Sequence, residues 1–183
     1  MTDDIDLSAI VVRDATETDI PHAHAIYSHH VLKSVGSFEE TPPTLSEMID
    51  RFRAVTGKGN PFLVAEWNGA VKGFSYANTF RPRTAYRYTV EDSIYIAPDS
   101  LGVGIGRMLL RTLIDRCSAM GYRRMVAVIG GGQENAASIT LHARMGFRTV
   151  GIIDGCGYKF ERWADTAIMQ RALGEGNTTS PDH

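Results

Sequence analysis

The sequence predicts an α/β or α+β layered domain, and three observations support this fold class. Strand-like and helix-like segments alternate along the chain, a pattern typical of layered domains. Asn68-Gly69 separates two apolar runs, which is the strongest short-range signal for a β-hairpin. A glycine-rich stretch, residues 102–106, lies between a strand pattern and a helix pattern. The chain of 183 residues is 43% hydrophobic, which suffices for one domain with a sizeable core.

The first predicted elements are a strand and two helices. Residues 10–13 have an apolar strand pattern. Asp19 is a helix-capping residue type, and Pro21 suits the first turn because its missing N–H has no partner there. Residues 44–47 have the form of a capping box, which predicts a second helix that ends near Gly57.

A hairpin and a third strand follow. The hairpin strands are predicted over Phe62–Trp67 and Ala70–Thr79, and a basic, aromatic loop covers residues 80–88. The next strand, Thr89–Ile96, places alternate residues on opposite faces. One face carries Val90, Asp92, Ile94 and Ile96, and the other carries Glu91, Ser93 and Tyr95.

The second half begins with a helix that opens at residues 102–106. Apolar residues continue it at helical spacing, and Gly121 ends it. Residues 125–129 are a continuous apolar run, which predicts a central strand buried on both faces. No internal repeat or linker divides the chain.

The last predicted elements are a helix and two strands. Asn135 caps the helix, which runs to Met145, and the strands lie around residues 149–153 and 166–172. A single domain is therefore predicted over residues 10–173. The flanking tails, residues 1–9 and 174–183, are predicted to be disordered because they lack apolar periodicity.

Composition excludes several classes of function. A net charge of -2 and a pI of about 6.3 argue against a nucleic-acid partner, although basic residues cluster locally at positions 81–87 and 123–124. Two cysteines, Cys117 and Cys156, make no disulfide framework and suit a reducing, cytoplasmic location. The first ten residues lack an apolar run, so no signal peptide is expected, and no apolar run is long enough to predict a membrane span.

The glycine-rich loop, residues 101–107, predicts a phosphate-binding site. A helix start leaves backbone N–H groups unpaired and carries partial positive charge, and the glycines allow close approach. Arg107 could add a charge-assisted contact. The spacing fits neither a dinucleotide fingerprint nor a P-loop. The alternative interpretation is a glycine-capped loop without a ligand.

Two motifs together resemble the GNAT acetyltransferase superfamily. The first is the glycine loop after a strand, and the second is Asn135-x-x-Ser138-x-x-Leu141-His142 followed by Gly146-Phe147. The resemblance extends over residues 11–173. It implies a mixed central sheet flanked by helices and acetyl-CoA as co-substrate. Leu101 departs from the pattern, which has Gln or Arg there, so backbone donors must carry more of the phosphate contact.

A closer resemblance is to the phosphinothricin, methionine sulfoximine and methionine sulfone N-acetyltransferases. It rests on Phe38-Glu39, residues 86–91, Ser93-Ile94-Tyr95, residues 157–159 and Arg162-Trp163. This resemblance implies a small amino-acid-like substrate, a homodimer and a role in antibiotic or herbicide resistance.

Two residues are the candidates for proton transfer. Glu91 is a carboxylate in an apolar strand, where burial would raise its pKa towards that of a general base. The alternative is an outward-facing residue or an ion pair with Arg87. The resemblance implies the base role, acting directly or through water. His142 occupies the usual tyrosine position and could protonate the leaving thiolate or relay the amine proton, or simply pack on its helix.

Cofactor contacts are predicted at three places. Asn135 and Ser138 could bind the pantetheine arm, although Asn135 could serve only as a cap. The strand residues Ile94, Tyr95 and Ile96 would offer backbone groups. The phosphate loop supplies Gly102, Val103, Gly104, Ile105, Gly106 and Arg107.

Substrate contacts are predicted around the basic loop. Arg81 and Arg83 suit a carboxylate or phosphinate, although a solvated basic loop is the alternative. The resemblance adds Phe38, Tyr86, Ser93 and Lys159. No metal site is predicted, because the histidines of the first helix lack ligand spacing and are expected on a solvated face; they are His22, His24, His29 and His30.

Two other functions remain open from the sequence. A peptide or protein N-acetyltransferase would need an open groove for its substrate. The other is a non-catalytic acyl-CoA-binding module, which the departure from the pattern at Leu101 keeps open.

Overall fold

A computed structural model describes residues 9–181 of the chain. The strands are β1 (Ile10–Asp14), β2 (Phe62–Trp67), β3 (Ala70–Thr79), β4 (Thr89–Ile96), β5 (Arg124–Gly130), β6 (Arg148–Lys159) and β7 (Arg162–Ala172). The helices are α1 (Ile20–Lys33), α2 (Leu45–Thr56), α3 (Ile105–Ala119) and α4 (Ala136–Arg144). The predicted alternation of strands and helices is confirmed.

The strands form one seven-stranded mixed sheet in the order β1-β2-β3-β4-β5-β7-β6. Every neighbouring pair is antiparallel except β4 and β5, which are parallel. The Asn68-Gly69 turn joins β2 and β3 as predicted, with Trp67 opposite Ala70. The predicted layered fold with a mixed sheet between helices is confirmed.

Two hydrophobic cores lie on the two faces of the sheet. One packs α3 on the sheet through residues such as Leu109, Leu113 and Met125. The other packs α1 and α2 on the opposite face through residues such as Phe52 and Phe74. The sheet is therefore covered on both sides, which is why its central strands are rich in apolar residues.

The predicted capping box of α2 is confirmed, but the predicted Asp19 cap of α1 is wrong, because Asp19 makes no side-chain cap hydrogen bond. Thr44 accepts from the Glu47 N–H, and the Glu47 carboxylate accepts from the Thr44 N–H at 2.6 Å, so the capping box is confirmed. Asp19 precedes α1, but its carboxylate accepts from the Thr16 N–H and from Arg13 at 2.7 and 2.8 Å. That ion pair ties β1 to the start of α1.

The two parallel strands separate part-way along their length. β4 and β5 pair from Thr89↔Arg124 to Asp92↔Ala127 and no further. Beyond that register Val128 is 43% exposed. The expectation that residues 125–129 are buried on both faces is therefore wrong at Val128, because its neighbour strand has moved away.

The last hairpin is longer than predicted. β6 continues past residue 153 to Lys159, and β7 begins at Arg162, before residue 166. Gly155 and Gly157 interrupt the alternation of side chains in the sequence, and the pairing of β6 with β7 shifts register between Ile153 and Gly157. The turn uses Phe160 and Glu161, both at positive φ, instead of the glycine that usually marks such turns.

The chain ends are only partly described. The predicted disordered segment at the N-terminus lies outside the described residues except for residue 9. Residues 174–177 form turns, and Arg123 donates to Glu175 at 3.3 Å and to Thr179 at 3.2 Å. Disorder of the C-terminal tail in solution stays a prediction. None of the helices within residues 9–181 is long and apolar enough to cross a bilayer.

Candidate active site

A cleft of about 800 Å³ opens where β4 and β5 separate. Its walls are residues 91–96 of β4, the end of β5, the start of α4 and the end of α1. Because the fork passes through the sheet, the cleft touches both faces. Glu91 and Ser93 lie on the face of α1 and α2, and Asp92 lies on the face of α3 and α4.

The fork exposes backbone groups of β4. The Ala97 N–H donates to the Lys72 carbonyl, so odd-numbered residues of β4 are bonded to β3 and even-numbered residues point towards β5. Ile94 and Ile96 thus present backbone groups to the cleft. The predicted backbone role of Tyr95 is wrong for this reason, since its backbone is paired with Phe74. The Tyr95 side chain does line the cleft.

The glycine loop lies at one end of the cleft. Gly102 and Gly104 have φ of 81° and 95°, a conformation that favours glycine. α3 starts at Ile105, so the N–H groups of its first turn have no acceptor inside the helix. A Cβ on Gly102 would meet nothing within 4 Å, so this backbone is open to a ligand. Arg107 is exposed beside it.

Three predicted loop residues, Val103, Ile105 and Gly106, contribute only backbone groups. The Ile105 side chain is 1% exposed and lies in the core against Gly73. Gly106 packs against Leu141, where a Cβ would come within 3.2 Å of the leucine side chain. Val103 also packs against the core. At these positions only the backbone N–H groups are therefore available to contact a ligand.

Asn135 and Ser138 both line the cleft. The predicted Asn135 cap is wrong, because the Asn135 side chain makes no cap hydrogen bond to α4 and its Nδ2 instead donates to the Gly130 carbonyl at 3.2 Å. Ser138 Oγ lies 3.4 Å from His142 Nδ1. The end of β5 and the start of α4 are thus joined at the wall where the pantetheine contact is predicted.

Glu91 is a half-buried carboxylate at the fork. Among the described residues no side chain donates a hydrogen bond or an ion pair to it, so the predicted alternative of an Arg87 ion pair is not formed. Burial raises the pKa of the Glu91 carboxyl, the Asp92 charge raises it further, and Arg81 opposes the rise. An unpaired carboxylate with a raised pKa in a cleft is suited to accept a proton.

His142 and Asp92 form a buried pair. His142 Nε2 lies 3.0 Å from Asp92 Oδ2, and the two side chains are 2% and 1% exposed. Nδ1 lies 2.8 Å from the Ser138 carbonyl. Burial lowers the pKa of His142, but the hydrogen bond and charge of Asp92 outweigh it, and the pKa is raised. The prediction that His142 could relay the amine proton as a base is wrong, because neither ring nitrogen has a free lone pair.

His30 lines the cleft, although the sequence predicts a solvated helix face for it. Its Nε2 donates to the Ile96 carbonyl at 2.8 Å, and burial lowers its pKa, so the expectation of a solvated face is wrong for His30. This hydrogen bond occupies the Ile96 carbonyl oxygen, which is the backbone acceptor that Ile96 presents to the fork. The two residues are 66 positions apart, and no local pattern signals this contact.

The predicted substrate residues divide into two groups. Phe38 and Ser93 line the cleft. Arg81 stacks on Phe80 at 5.1 Å and is close enough to Glu91 to affect its pKa. Arg83 and Tyr86 are exposed on the same loop and are not part of the cleft wall.

Lys159 has a structural position and does not reach the cleft wall. It is 2% exposed, and its Nζ donates to the Ser34 carbonyl at 2.9 Å and to the Ser37 carbonyl at 2.6 Å. Burial lowers its pKa. The predicted substrate contact of Lys159 is therefore wrong in this structure, because the ammonium is already bonded to backbone. It anchors the β6–β7 hairpin to the loop that carries Phe38.

Comparisons with known proteins identify the family. A family model described as an acetyltransferase (GNAT) domain matches residues 12–168. The chain is 48% identical over 174 residues to phosphinothricin N-acetyltransferase of Alcaligenes faecalis, covering 95% of this chain and 88% of the relative. The chain belongs to the GNAT acetyltransferase family.

Two further matches agree. The chain is 41% identical over 163 residues to an L-methionine sulfoximine/L-methionine sulfone acetyltransferase of Pseudomonas paraeruginosa, covering 88% of this chain and 94% of the relative. A solved GNAT phosphinothricin acetyltransferase from Sinorhizobium meliloti, in complex with AcCoA, superposes with a TM-score of 0.92 at 48% identity, covering 96% of this chain and 94% of that one. The resemblance stated from sequence is confirmed.

The GNAT cleft fits acetyl-CoA. Gly102 and Gly104 with the first turn of α3 form a backbone cradle for a pyrophosphate. Ile94 offers its N–H and carbonyl to an extended arm, and Ile96 offers its N–H because its carbonyl is bonded to His30. Asn135 and Ser138 lie on the facing wall. These donors on the cleft wall are backbone, amide and hydroxyl groups, with Arg107 exposed beside the loop. No cluster of three or more His, Cys, Asp or Glu that could hold a metal occurs within residues 9–181.

Proposed function

We propose that this acetyl-CoA-dependent N-acetyltransferase acetylates the amino group of a small amino-acid-like substrate of the phosphinothricin, methionine sulfoximine or methionine sulfone type. The observation that carries the proposal is the fork, which brings the unpaired Glu91 carboxylate and the glycine cradle into one cleft. The names of the relatives support this substrate class. Acetyl-CoA supplies the acetyl group as a thioester.

Glu91 is proposed as the general base, acting directly or through one water. An ammonium group cannot attack a carbonyl, so the amine must first lose a proton. Glu91 is unpaired and has a raised pKa, and it lies on the face of the sheet opposite to Asp92. The Ile94 N–H, which points into the fork, is suited to stabilise negative charge that develops on the carbonyl oxygen.

A small acceptor suits the wall on the Glu91 side. Phe38 from the α1–α2 loop and Phe160 from the hairpin turn both border the cleft. An ion pair between Glu134 and Arg162, at 2.7 and 2.8 Å, links the two sides of the mouth. Arg81, beside Glu91, is proposed to bind the substrate's carboxylate or phosphinate.

The substrate class is tested by thiol release from acetyl-CoA. The panel holds phosphinothricin, methionine sulfoximine, methionine sulfone, ordinary amino acids and a peptide with a free N-terminus. We expect turnover on the amino-acid analogues and little on the peptide. Turnover confined to the peptide would overturn the substrate class, and binding of CoA without any turnover would overturn the activity itself.

The base is tested by the pH dependence of kcat/KM. Glu91 must be deprotonated to act, so the rate falls as pH drops through its pKa. Because that pKa is raised, we expect the acid limb above the range of about 4.3 that is usual for glutamate. A profile that stays flat down to that range would contradict the base assignment.

We also propose a homodimer that buries the free edge of the last hairpin. β6 is an edge strand of 12 residues, and exposed apolar side chains cover it and its neighbour: Val150 at 53%, Ile153 at 51%, Tyr158 at 55% and Trp163 at 67% exposed. Tyr158 and Trp163 are in ring contact at 5.2 Å. Such a long apolar edge is normally covered in a folded protein, and a second copy would cover it.

The dimer is tested by light scattering after size exclusion. Wild type is expected at twice the mass of the chain, and Trp163→Glu at a lower mass. Leu45→Glu, at a residue 39% exposed on α2, is the matched control and should stay dimeric. A monomeric wild type would refute the proposal.

We further propose a cytoplasmic location, supported by two free cysteines, and a role in resistance to substrate-like antibiotics or herbicides.

A further inference from the structure

The end of α1 and the loop that follows it cross the fork from β4 to β5. On one side His30, in the last turn of α1, donates from Nε2 to the carbonyl of Ile96, the last residue of β4, at 2.8 Å. On the other side Val35 lies against the backbone of Gly130, the last residue of β5. Residues 30–36 therefore contact both strands beyond the point where they stop pairing.

The contact with β4 is made by a packed, neutral ring. A carbonyl oxygen only accepts, so Nε2 of His30 carries the proton of this hydrogen bond. Burial lowers the pKa of His30, so the ring is neutral near pH 7 and has one N–H. The Tyr95 ring packs against His30 at 5.5 Å, and burial raises the pKa of Tyr95, which keeps it neutral as well. The N–H of the His30 ring is therefore committed to the Ile96 carbonyl.

The contact with β5 depends on two glycines. A Cβ built on Gly131 would lie 2.6 Å from Val35 Cγ2, and one built on Gly130 would fall still closer to the Val35 carbonyl oxygen. Ordinary contact begins at 3.4 Å, so a side chain on either glycine would push the loop away from β5. Asn135 Nδ2 donates to the Gly130 carbonyl from the other side, at 3.2 Å. The end of β5 therefore lies between the loop and the start of α4.

The segment between these two contacts is bonded internally. Ser34 Oγ donates to the His30 carbonyl at 3.0 Å and accepts from the Gly36 N–H at 3.2 Å. The buried Lys159 ammonium donates to the Ser34 carbonyl at 2.9 Å. A displacement at one end of the segment is therefore passed on to the other end.

The separation of the two strands decides what a ligand in the fork can reach. Ile94 keeps its N–H and carbonyl free towards β5, and Ile96 keeps its N–H. Hydrogen bonds from such groups have donor–acceptor distances of about 2.7–3.2 Å, so a shift of about 0.5 Å in β4 is enough to break them. An extended arm therefore needs the two strands at a fixed spacing, which strand pairing does not supply beyond Asp92.

We propose that residues 30–36 form a brace that fixes the spacing of β4 and β5 for acetyl-CoA, and that His30 is the positioning residue at the β4 end of this brace. The inference rests on acetyl-CoA as the co-substrate, but on neither the Glu91 base nor the identity of the acceptor.

Calorimetric titration of the ligand-free enzyme with CoA tests the β4 contact without turnover. His30→Phe keeps a ring that cannot donate, and we expect the Kd for CoA to rise about 5- to 10-fold, the effect of one lost hydrogen bond. His30→Gln places an amide N–H near the position of Nε2 and should restore the Kd to within about twofold of wild type. His22→Phe, at an exposed position on the same helix, is the matched control and should leave the Kd unchanged. An unchanged Kd in His30→Phe, or no recovery in His30→Gln, would overturn the proposal.

A double-mutant cycle distinguishes a brace from two local packing contacts. Gly130→Ala displaces Val35 at the β5 end and should also weaken CoA binding. In the double variant of His30→Phe and Gly130→Ala we expect a smaller rise in Kd than the product of the two single effects, because a brace released at one end no longer holds the other. A rise that equals this product within about twofold would show independent contacts and overturn the brace.

NMR of wild type with 15N-labelled histidine provides a test that needs no variant to fold. The Nε2–H signal of His30, assigned through its contact with the Tyr95 ring, should persist when CoA is added to saturation. Loss of this signal would mean that the ligand displaces His30 from Ile96, and the proposal would be overturned. Because CoA binding requires no acceptor, failure of the proposed substrate class would be seen separately, in the thiol-release panel.

Discussion

Gly157 offers a sharp test of how the last hairpin shapes the cleft. A Cβ built at this position would lie 2.4 Å from Phe38 Cε2 and 2.6 Å from Cδ2 and Cζ. Ordinary contact begins at 3.4 Å, so in Gly157→Ala the ring has to retreat by about 1 Å or the hairpin must lift. Phe38 lines the cleft, so the change reaches the proposed acceptor side without touching the glycine loop.

The magnitude follows from two opposing effects. Replacing glycine by alanine stabilises a compatible site by about 0.4–1 kcal/mol through the unfolded state. Overpacking costs about 1–3 kcal/mol, so the net effect is destabilising by about 1–2 kcal/mol. A displacement of 1 Å near the reacting groups can cost about 100-fold in rate. We expect kcat/KM for the acceptor to fall about 10- to 100-fold and KM for acetyl-CoA to stay within about twofold.

The assay is thiol release with each substrate varied in turn, together with a thermal melt. Gly151→Ala is the matched control, because it lies on the same strand, β6, and a Cβ there meets nothing within 4 Å. It should leave both kinetic constants unchanged. The reasoning would be refuted if Gly157→Ala folded with an unchanged acceptor kcat/KM, or if Gly151→Ala impaired the enzyme equally.

Three further changes have directions set by the structure. Glu161→Gly should raise Tm by about 2–4 °C, because Glu161 has φ of 58° and relief of that strain contributes about 1 kcal/mol; an unchanged Tm would contradict this. Leu101→Arg, at a residue 62% exposed beside the glycine loop, should lower KM for acetyl-CoA about threefold or more by a charge-assisted contact, and a raised KM would argue against phosphate there. His142→Gln should lower the free energy of unfolding most in acid. Because the pKa of His142 is raised in the folded protein, its contribution to stability is complete below about pH 6.5 and is lost as pH rises through the folded pKa. Urea melts of wild type and variant should therefore converge at alkaline pH.

Local signals predicted the elements that have strong local causes. The capping box at Thr44, the Asn68-Gly69 turn and the glycine loop at residues 102–106 each specify backbone geometry within a few residues. The boundaries of the helices and strands predicted at these three places are correct. The hairpin extension to Lys159 was missed because glycines interrupt its alternation and because its turn is Phe160-Glu161.

Contacts between segments that are distant in the chain could not be predicted from local sequence patterns. Asp92 and His142 are 50 positions apart, and their pairing depends on how α4 packs over the fork. His30 reaches the Ile96 carbonyl across the cleft in the same way. The exposure of Val128 follows from strand separation, which no apolar run reveals. A carboxylate beside Glu91 on an otherwise apolar strand was the one available signal for Asp92.

The most direct test of the account is kcat for Glu91→Gln with methionine sulfone and saturating acetyl-CoA. Glu66→Gln, at another half-buried strand glutamate but outside the cleft, is the control. We predict that kcat falls by about 100-fold or more in Glu91→Gln and that the acid limb of the rate profile disappears, whereas Glu66→Gln keeps wild-type turnover. A Glu91→Gln enzyme with wild-type kcat and an unchanged acid limb would contradict the assignment of Glu91 as the base.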